Sequence, residues 1–139
     1  MKPITLAEVE YLTFKLAKED SEFSELISAF RTRFPRVLES CLATPFQRFN
    51  KRDLYKGLIG KSAILFYLMI KNHPFQNGNK RIALATLLIF LYKNNKWFKV
   101  DNQELYNFTD WVAASPAELK DKVVESIEIF LKLHLLTLK

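Results

Sequence analysis

Residues 73–81, HPFQNGNKR, bring a histidine, a glycine, two asparagines and two cations together between the two most apolar segments of the chain. Pro74 disfavours helical geometry at the residue before it, which predicts that one long helix ends near His73. A second helix is predicted to begin near Asn79, and Gly78 permits backbone conformations that a side chain would block. The motif is therefore predicted to form a short loop between two buried helices.

This loop has the components of a phosphate site with a base beside it. Lys80 and Arg81 fall in the first turn of the second helix, where the helix dipole disfavours each cation by roughly 0.3–1 kcal/mol. A bound anion would offset that cost, because the backbone N–H groups of Gly78, Asn79 and Lys80 also favour negative charge. His73 lies in the same loop and can take a proton from an attacking hydroxyl near neutral pH.

The same residues also allow a purely structural interpretation. His73 would then cap a helix, and Lys80 and Arg81 would be solvated cations. Phe75 is assigned to packing under both interpretations, as the anchor of the loop to the core. The spacing favours the phosphate site but leaves the structural interpretation open.

The composition predicts an all-α protein with one domain, residues 1–139. The chain is 49% hydrophobic, with only three glycines and five prolines, so few residues break helices. Capping signals and apolar spacing predict seven helices: residues 5–18, 22–33, 36–43, 53–71, 79–94, 102–113 and 116–137. The helices on either side of the motif are apolar nearly all round, which predicts a compact bundle with the loop and helix start at its centre. Residues 44–52 form the longest helix-free stretch before the motif, and residues 97–100 are predicted to be extended.

Several other classes of protein are excluded. Cys41 is the only cysteine, so no internal disulfide forms, and a reducing cytoplasm is the expected location. The longest uncharged run, residues 82–92, is about half the roughly 20 residues that a membrane span needs. Residues 57–62, GLIGKS, have two residues between the glycines where a P-loop needs four. His134 lies among leucines, and no set of histidines, cysteines and carboxylates has zinc spacing.

The net charge is +6, and six of the 21 lysines and arginines form two clusters. The clusters are Arg31, Arg33 and Arg36, and Arg48, Lys51 and Arg52. A solvated basic face explains them without a ligand, and an acidic protein partner or a phosphate-rich ligand explains them equally well.

At the motif the sequence resembles the Fic/Doc superfamily, and specifically its Doc (death-on-curing) branch. Fic proteins carry a pattern of the form HPFxxGNGR, and Doc-type proteins have lysine at the position of the second glycine, where this chain has Lys80. The resemblance extends upstream through LESCLATPF and DLYKGLIGKSAILFYLMIKNH, and downstream through IALATLLIFLYKNN.

The resemblance implies a compact all-α fold and transfer from ATP, with Mg²⁺, to a protein hydroxyl. Fic proteins typically transfer AMP, whereas Doc phosphorylates elongation factor Tu and is paired with the antitoxin Phd. The implied partners are therefore a Phd-like antitoxin and a protein of the translation machinery, with no membrane and no nucleic acid.

The resemblance also implies roles for single residues. His73 would be the general base, Gly78, Asn79 and Lys80 would bind phosphates, and Arg81 would neutralise the charge that develops on them. Thr44, Pro45 and Phe46 fall where the family has a flap that docks the target backbone as an added strand.

Two positions depart from the Fic pattern. Asn77 stands where a carboxylate normally binds Mg²⁺, and its neutral amide oxygen should bind the metal more weakly. Leu84 stands where many Fic proteins have a second arginine, as is usual in the Doc branch.

Three functions are therefore carried forward. The first is a Doc-like toxin that moves the γ-phosphate of ATP to a serine or threonine hydroxyl. The second is a Fic-type AMP transferase. The third is a non-catalytic module whose basic surface binds an acidic protein or nucleic acid.

Overall fold

The computed structural model describes residues 1–19 and 26–138. Within these residues the chain forms six α-helices: α1 (Leu6–Leu16), α2 (Pro35–Ala43), α3 (Gly57–Lys71), α4 (Asn79–Lys93), α5 (Asn102–Ala114) and α6 (Lys120–His134). Four short strands accompany them: β1 (Arg48–Phe49), β2 (Arg52–Asp53), β3 (Lys96–Phe98) and β4 (Leu135–Thr137). The all-α prediction is confirmed.

The helix α3 is the centre of the fold. Every residue from Gly60 to Ile70 is buried, and the helix packs against α2, α4, α5 and α6. A helix in contact with neighbours on all sides needs apolar residues all round, as its sequence has. The predicted central burial of α3 is therefore confirmed, and α4 is its most extensive neighbour.

The helix α1 is fixed at both ends and packs on α4. Its first turn carries a capping box, in which the Thr5 hydroxyl accepts from the Glu8 N–H and the Glu8 carboxylate accepts from the Thr5 N–H. The Lys93 ammonium, at the end of α4, lies 2.7 Å from Glu8 Oε1. The start of α1 therefore lies against the end of α4, and the end of α1 lies towards the start of α4.

The predicted helix over residues 22–33 is wrong in its described part. Residues 26–29 are not helical, and Phe30–Thr32 forms a single 3₁₀ turn; residues 22–25 of the prediction lie outside the described residues. The apolar spacing that suggested a helix has another explanation, because Ile27 packs against the core beside Gly78 and the Phe30 ring lies 6.2 Å from that of Phe75. These side chains are partly buried from an irregular segment, without helical geometry.

Two other predicted helices are shorter than expected. The helix predicted over residues 53–71 begins at Gly57, because β1 and β2 form an antiparallel hairpin that occupies residues 48–53. The helix predicted over residues 116–137 is a 3₁₀ turn at Ala117–Leu119, then α6, then β4. The strand β4 pairs with β3, the segment predicted to be extended.

Cys41 and His134 are structural residues, and the helices are too short or too polar to span a membrane in the part of the chain that the structure describes. Cys41 is fully buried, as expected of a core residue, and burial raises the pKa of its thiol to about 11. His134 is half-buried, with Nε2 3.3 Å from Glu104 Oε2. No helix in residues 1–19 and 26–138 is long and apolar enough to cross a membrane.

Candidate active site at the start of α4

The motif forms the connection between α3 and α4. The first helix ends at Lys71 and the second begins at Asn79, close to the predicted boundaries. His73 and Gly78 both have positive φ angles, 50° and 85°. The chain therefore turns sharply at both ends of the loop, and the glycine supplies one of these conformations without steric cost.

The side chain of Asn79 closes the loop. Its Oδ1 accepts a hydrogen bond from the Phe75 N–H at 3.0 Å, and its Nδ2 donates to the Phe75 carbonyl at 2.8 Å. Both residues are buried, and the Phe75 side chain is 1% exposed. Since the amide of Asn79 is used within the loop, any contact between Asn79 and a phosphate would come from its backbone N–H.

Residues 26–28, which precede α2 in the chain, lie over Gly78 at the start of α4. A Cβ atom on Gly78 would come within 2.5 Å of Ile27 Cδ1 and 3.0 Å of the Leu26 carbonyl oxygen. The Ser28 hydroxyl donates to the Asn77 carbonyl and accepts from the Asn77 N–H, each at 3.2 Å. One face of the loop is thus covered by the chain itself.

Arg81 is buried and bound to the end of α1. It is 8% exposed, and its Nη2 donates to the carbonyl oxygens of Leu16 at 3.1 Å and Glu19 at 3.2 Å. Carbonyl groups at the C-terminal end of a helix carry partial negative charge, which stabilises a cation. The unfavourable position of Arg81 in the first turn of α4 is therefore offset inside the protein, without a bound anion.

Lys80 lies nearer the surface. Its ammonium is 3.0 Å from Asp110 Oδ1 on α5. An ion pair at this exposure contributes about 0–1 kcal/mol, so a phosphate could replace Asp110 at little cost. Lys80 is thus more easily redirected to a ligand than Arg81 is.

His73 lies just outside the end of α3 with its side chain exposed. A reacting hydroxyl from another molecule can therefore approach the imidazole from solvent. His134, by contrast, packs on the Phe130 ring at 4.6 Å. Of the two histidines in the chain, His73 has the accessibility that a general base for a protein substrate requires.

The loop itself offers few ligands for a metal ion. Asn77 is exposed and offers a neutral amide oxygen. In residues 1–19 and 26–138, no group of three or more histidines, cysteines and carboxylates could hold a metal. A Mg²⁺ ion here would be held mainly by nucleotide phosphates, as is common for this ion.

Thr44, Pro45 and Phe46 are not an extended segment. They form a 3₁₀ turn in which Pro45 is buried, and the Phe46 ring packs edge-on against Phe90 at 6.0 Å. The exposed hairpin of β1 and β2 follows directly. If a target strand docks in this region, the hairpin offers the accessible backbone.

The sequence prediction missed one buried cation near this turn. Lys61 lies on α3 and is only 4% exposed, and its ammonium lies 3.0 Å from Asp53 Oδ2. A lysine within the apolar run of α3 was the available signal, because a buried lysine requires partners.

A family model for the Fic/DOC family matches residues 3–91. The match covers more than half of the chain and includes the whole motif, so the chain belongs to the Fic/DOC family. Members of this family are transferases, and membership indicates an enzyme that modifies proteins. The comparisons with curated proteins and with solved structures found no match.

Proposed function

We propose that this protein is a Doc-like kinase that transfers the γ-phosphate of ATP to a serine or threonine hydroxyl of a protein. The observation that carries the proposal is Lys80, in the first turn of α4, two residues after the left-handed Gly78. Fic-type proteins have glycine at that position. A lysine there favours the most highly charged part of ATP, its terminal phosphate, at the start of the helix.

The reaction then follows from the groups around the loop. His73 takes the proton from the target hydroxyl as its oxygen attacks the γ-phosphorus, and ADP leaves with the electrons of the broken P–O bond. Lys80 and the N–H groups at the start of α4 stabilise the charge on the transferred phosphoryl group. Mg²⁺ bound to the phosphates supplies further charge neutralisation, with the Asn77 amide as a weak ligand.

Arg81 has to change partners to take part. Its Nη2 donates to two carbonyl groups of the α1 end, so a phosphate must compete with them. A guanidinium forms stronger hydrogen bonds to phosphate than to a neutral carbonyl, which favours the exchange once the nucleotide is bound. Arg81 is thus a switchable ligand of the phosphates.

The biological role that fits this chemistry is that of a toxin controlled by a Phd-like antitoxin. An enzyme that modifies a protein of the translation machinery would stop growth, so it requires an inhibitor in the same cell. An open reading frame for a small acidic protein directly upstream would support this pairing.

Expression in bacteria without an antitoxin tests the proposal. We expect growth arrest with the parent protein and normal growth with His73→Ala, at equal protein levels and equal melting temperature Tm. Arrest by both proteins would mean that His73 is not catalytic. No arrest by either, together with no effect of ATP on Tm, would favour a non-catalytic binding module.

A further inference from the structure

Residues 26–34, the connecting segment that leads into α2, run along the loop between α3 and α4. Contacts join the segment to the loop in reverse order: Ile27 with Gly78, Ser28 with Asn77, Phe30 with Phe75, and Phe34 with Pro74. The segment therefore begins beside the start of α4 and ends beside His73.

The two ends of the loop face different reactants of the proposed reaction. In that reaction the phosphates of ATP bind at the start of α4, beside Gly78 and Lys80, and the acceptor hydroxyl binds at His73. A side chain at the end of the connecting segment is therefore beside the acceptor, whereas one at its beginning is beside the nucleotide.

Positive charge accumulates at the acceptor end of the loop. Three arginines lie at the end of the connecting segment and in the first turn of α2: Arg31, Arg33 and Arg36. Residues 26–38 contain no aspartate or glutamate. In the part of the chain that the structure describes, none of the three arginines forms an ion pair, whereas Lys80 pairs with Asp110. This end of the loop therefore attracts a negatively charged group from another molecule.

Arg33 is held in position beside the loop. Its Nη1 donates to the Phe30 carbonyl at 3.3 Å, and its Cζ lies 4.1 Å from the centroid of the Phe30 ring, which in turn packs on Phe75. Its Nε is buried and has no hydrogen-bond partner among the described residues. The guanidinium is thus fixed by one side and has N–H donors left for a planar acceptor such as a carboxylate.

We propose that Arg31, Arg33 and Arg36 select the acceptor, by binding carboxylate side chains within about three residues of the serine or threonine that is phosphorylated. The inference rests on the proposed function, because it names a feature of the substrate of the same reaction. The three arginines are specificity-determining residues at the acceptor end of the loop.

The separation of Arg33 and His73 sets where the carboxylate lies in the substrate. The Phe34 N–H donates to the Pro74 carbonyl at 2.9 Å, and Arg33 and His73 are the residues directly before these two. Each is one Cα step of about 3.8 Å from the bonded pair. An extended substrate advances about 3.3 Å per residue, so the arginines reach positions within about three residues of the acceptor.

A carboxylate is the anion that this position favours. In the proposed reaction His73 takes its proton from a protein hydroxyl, so a ligand bound directly beside His73 belongs to the same protein. Aspartate and glutamate supply the negative charge of an unmodified protein, and a guanidinium binds a carboxylate through two parallel N–H donors. The same cations repel a basic residue next to the acceptor, which adds to the selection.

Peptide binding tests the selection without any activity. Two 11-residue peptides would carry one central threonine and differ only two positions before and after it, with glutamate in one peptide and glutamine in the other. From fluorescence anisotropy we expect the parent protein to bind the glutamate peptide about three- to tenfold more tightly. Arg31→Gln/Arg33→Gln/Arg36→Gln should remove this difference, and Arg31→Gln/Arg36→Gln, which leaves the packed Arg33 in place, should reduce it. Lys122→Gln is the matched control, because Lys122 is an exposed cation on α6, and it should keep the difference.

Two further ligands distinguish the acceptor from other anions. ATP should raise Tm equally in the parent and in both arginine variants, because the phosphates bind at the other end of the loop. Loss of the ATP effect in these variants would identify the arginines as nucleotide ligands and overturn the proposal. Tighter binding of a 12-nucleotide single-stranded oligonucleotide than of the glutamate peptide would overturn it in favour of a nucleic-acid surface.

The outcomes separate this inference from the proposed function. Selective binding of the glutamate peptide that is lost in the triple variant, with no transfer of phosphate, would support the acceptor surface and count against the kinase. Transfer with equal kcat/KM to both peptides would support the kinase and overturn the selection. Equal binding of the two peptides by the parent, or no measurable binding of either, would also overturn it.

Discussion

Replacement of Asn79 by alanine should destabilise the protein far more than a loop substitution normally does. The Asn79 amide accepts from the Phe75 N–H at 3.0 Å and donates to the Phe75 carbonyl at 2.8 Å, and both residues are buried. Alanine keeps the helix start but removes both partners of the Phe75 backbone. The loop of residues 72–78 therefore loses the two hydrogen bonds that close it across its buried side.

The magnitude follows from these two groups. Each of the two buried backbone groups left without a partner costs about 1–3 kcal/mol, so Asn79→Ala should lower the free energy of unfolding by roughly 2–6 kcal/mol. For a domain of this size, that corresponds to a Tm lower by about 6–24 °C. Asn79→Asp should fall between the parent and alanine, because a carboxylate still accepts from the Phe75 N–H but cannot donate to its carbonyl.

Urea unfolding followed by circular dichroism measures this loss. Asn77→Ala is the matched control, since Asn77 is an exposed asparagine in the same loop that contacts Ser28 through its backbone. It should change the free energy of unfolding by no more than about 0.5 kcal/mol. Equal stability of the two alanine variants would refute the conclusion that the Asn79 side chain closes the loop.

Three further predictions concern the surroundings of the loop. Arg81→Ala should lower the free energy of unfolding by about 2–4 kcal/mol in the absence of nucleotide, measured in urea, because it removes two charge-assisted hydrogen bonds from the buried guanidinium to the Leu16 and Glu19 carbonyls; unchanged stability would contradict that contact. Gly78→Ala should cost about 2–4 kcal/mol, from its positive φ and the contact with Ile27, and the cost should be smaller in an Ile27→Ala background; equal costs in both backgrounds would exclude the contact. Because Lys61 lowers the pKa of Asp53, this carboxylate adds stability above the ordinary aspartate pKa of about 3.9 and loses it as the pH falls through the lower folded pKa. The stability difference between the parent and Asp53→Asn should therefore disappear in acid, and a difference that stays constant down to pH 2 would contradict the link.

The sequence was sufficient for the parts of the fold that depend on local signals. Pro74 and Gly78 indicated the ends of the loop between α3 and α4 to within a residue or two of their positions in the structure. The all-round apolar pattern of the two helices indicated that both are buried. The spacing of Leu26, Ile27 and Phe30 was misleading, since Ile27 and Phe30 are partly buried from an irregular segment and Leu26 is exposed. The strand β4 could not be predicted, because its pairing with β3 joins residues about 40 positions apart.

In the candidate site too, local features could be predicted from the sequence, whereas contacts between distant residues could not. The types and order of the motif residues are local, so the sequence alone identified the helix start and its two cations. Their partners are distant in the chain: Arg81 reaches Leu16 across 65 positions, and Lys80 reaches Asp110 across 30. By the dipole argument alone, removal of Arg81 would be neutral or slightly stabilising, whereas the hydrogen bonds of the buried Arg81 side chain predict a loss of stability.

The proposed transfer of the γ-phosphate is tested by labelling the α- and γ-phosphates of ATP separately. Purified protein would be incubated with bacterial lysate, Mg²⁺ and ATP labelled with ³²P at either the α or the γ position, with His73→Ala as the control. We expect γ-label, and not α-label, to appear on a protein, His73→Ala to transfer neither, and Asn77→Asp to reach the same labelling at lower Mg²⁺. Transfer of α-label by the parent protein, abolished in His73→Ala, would contradict the proposed kinase reaction and identify the reaction as AMP transfer.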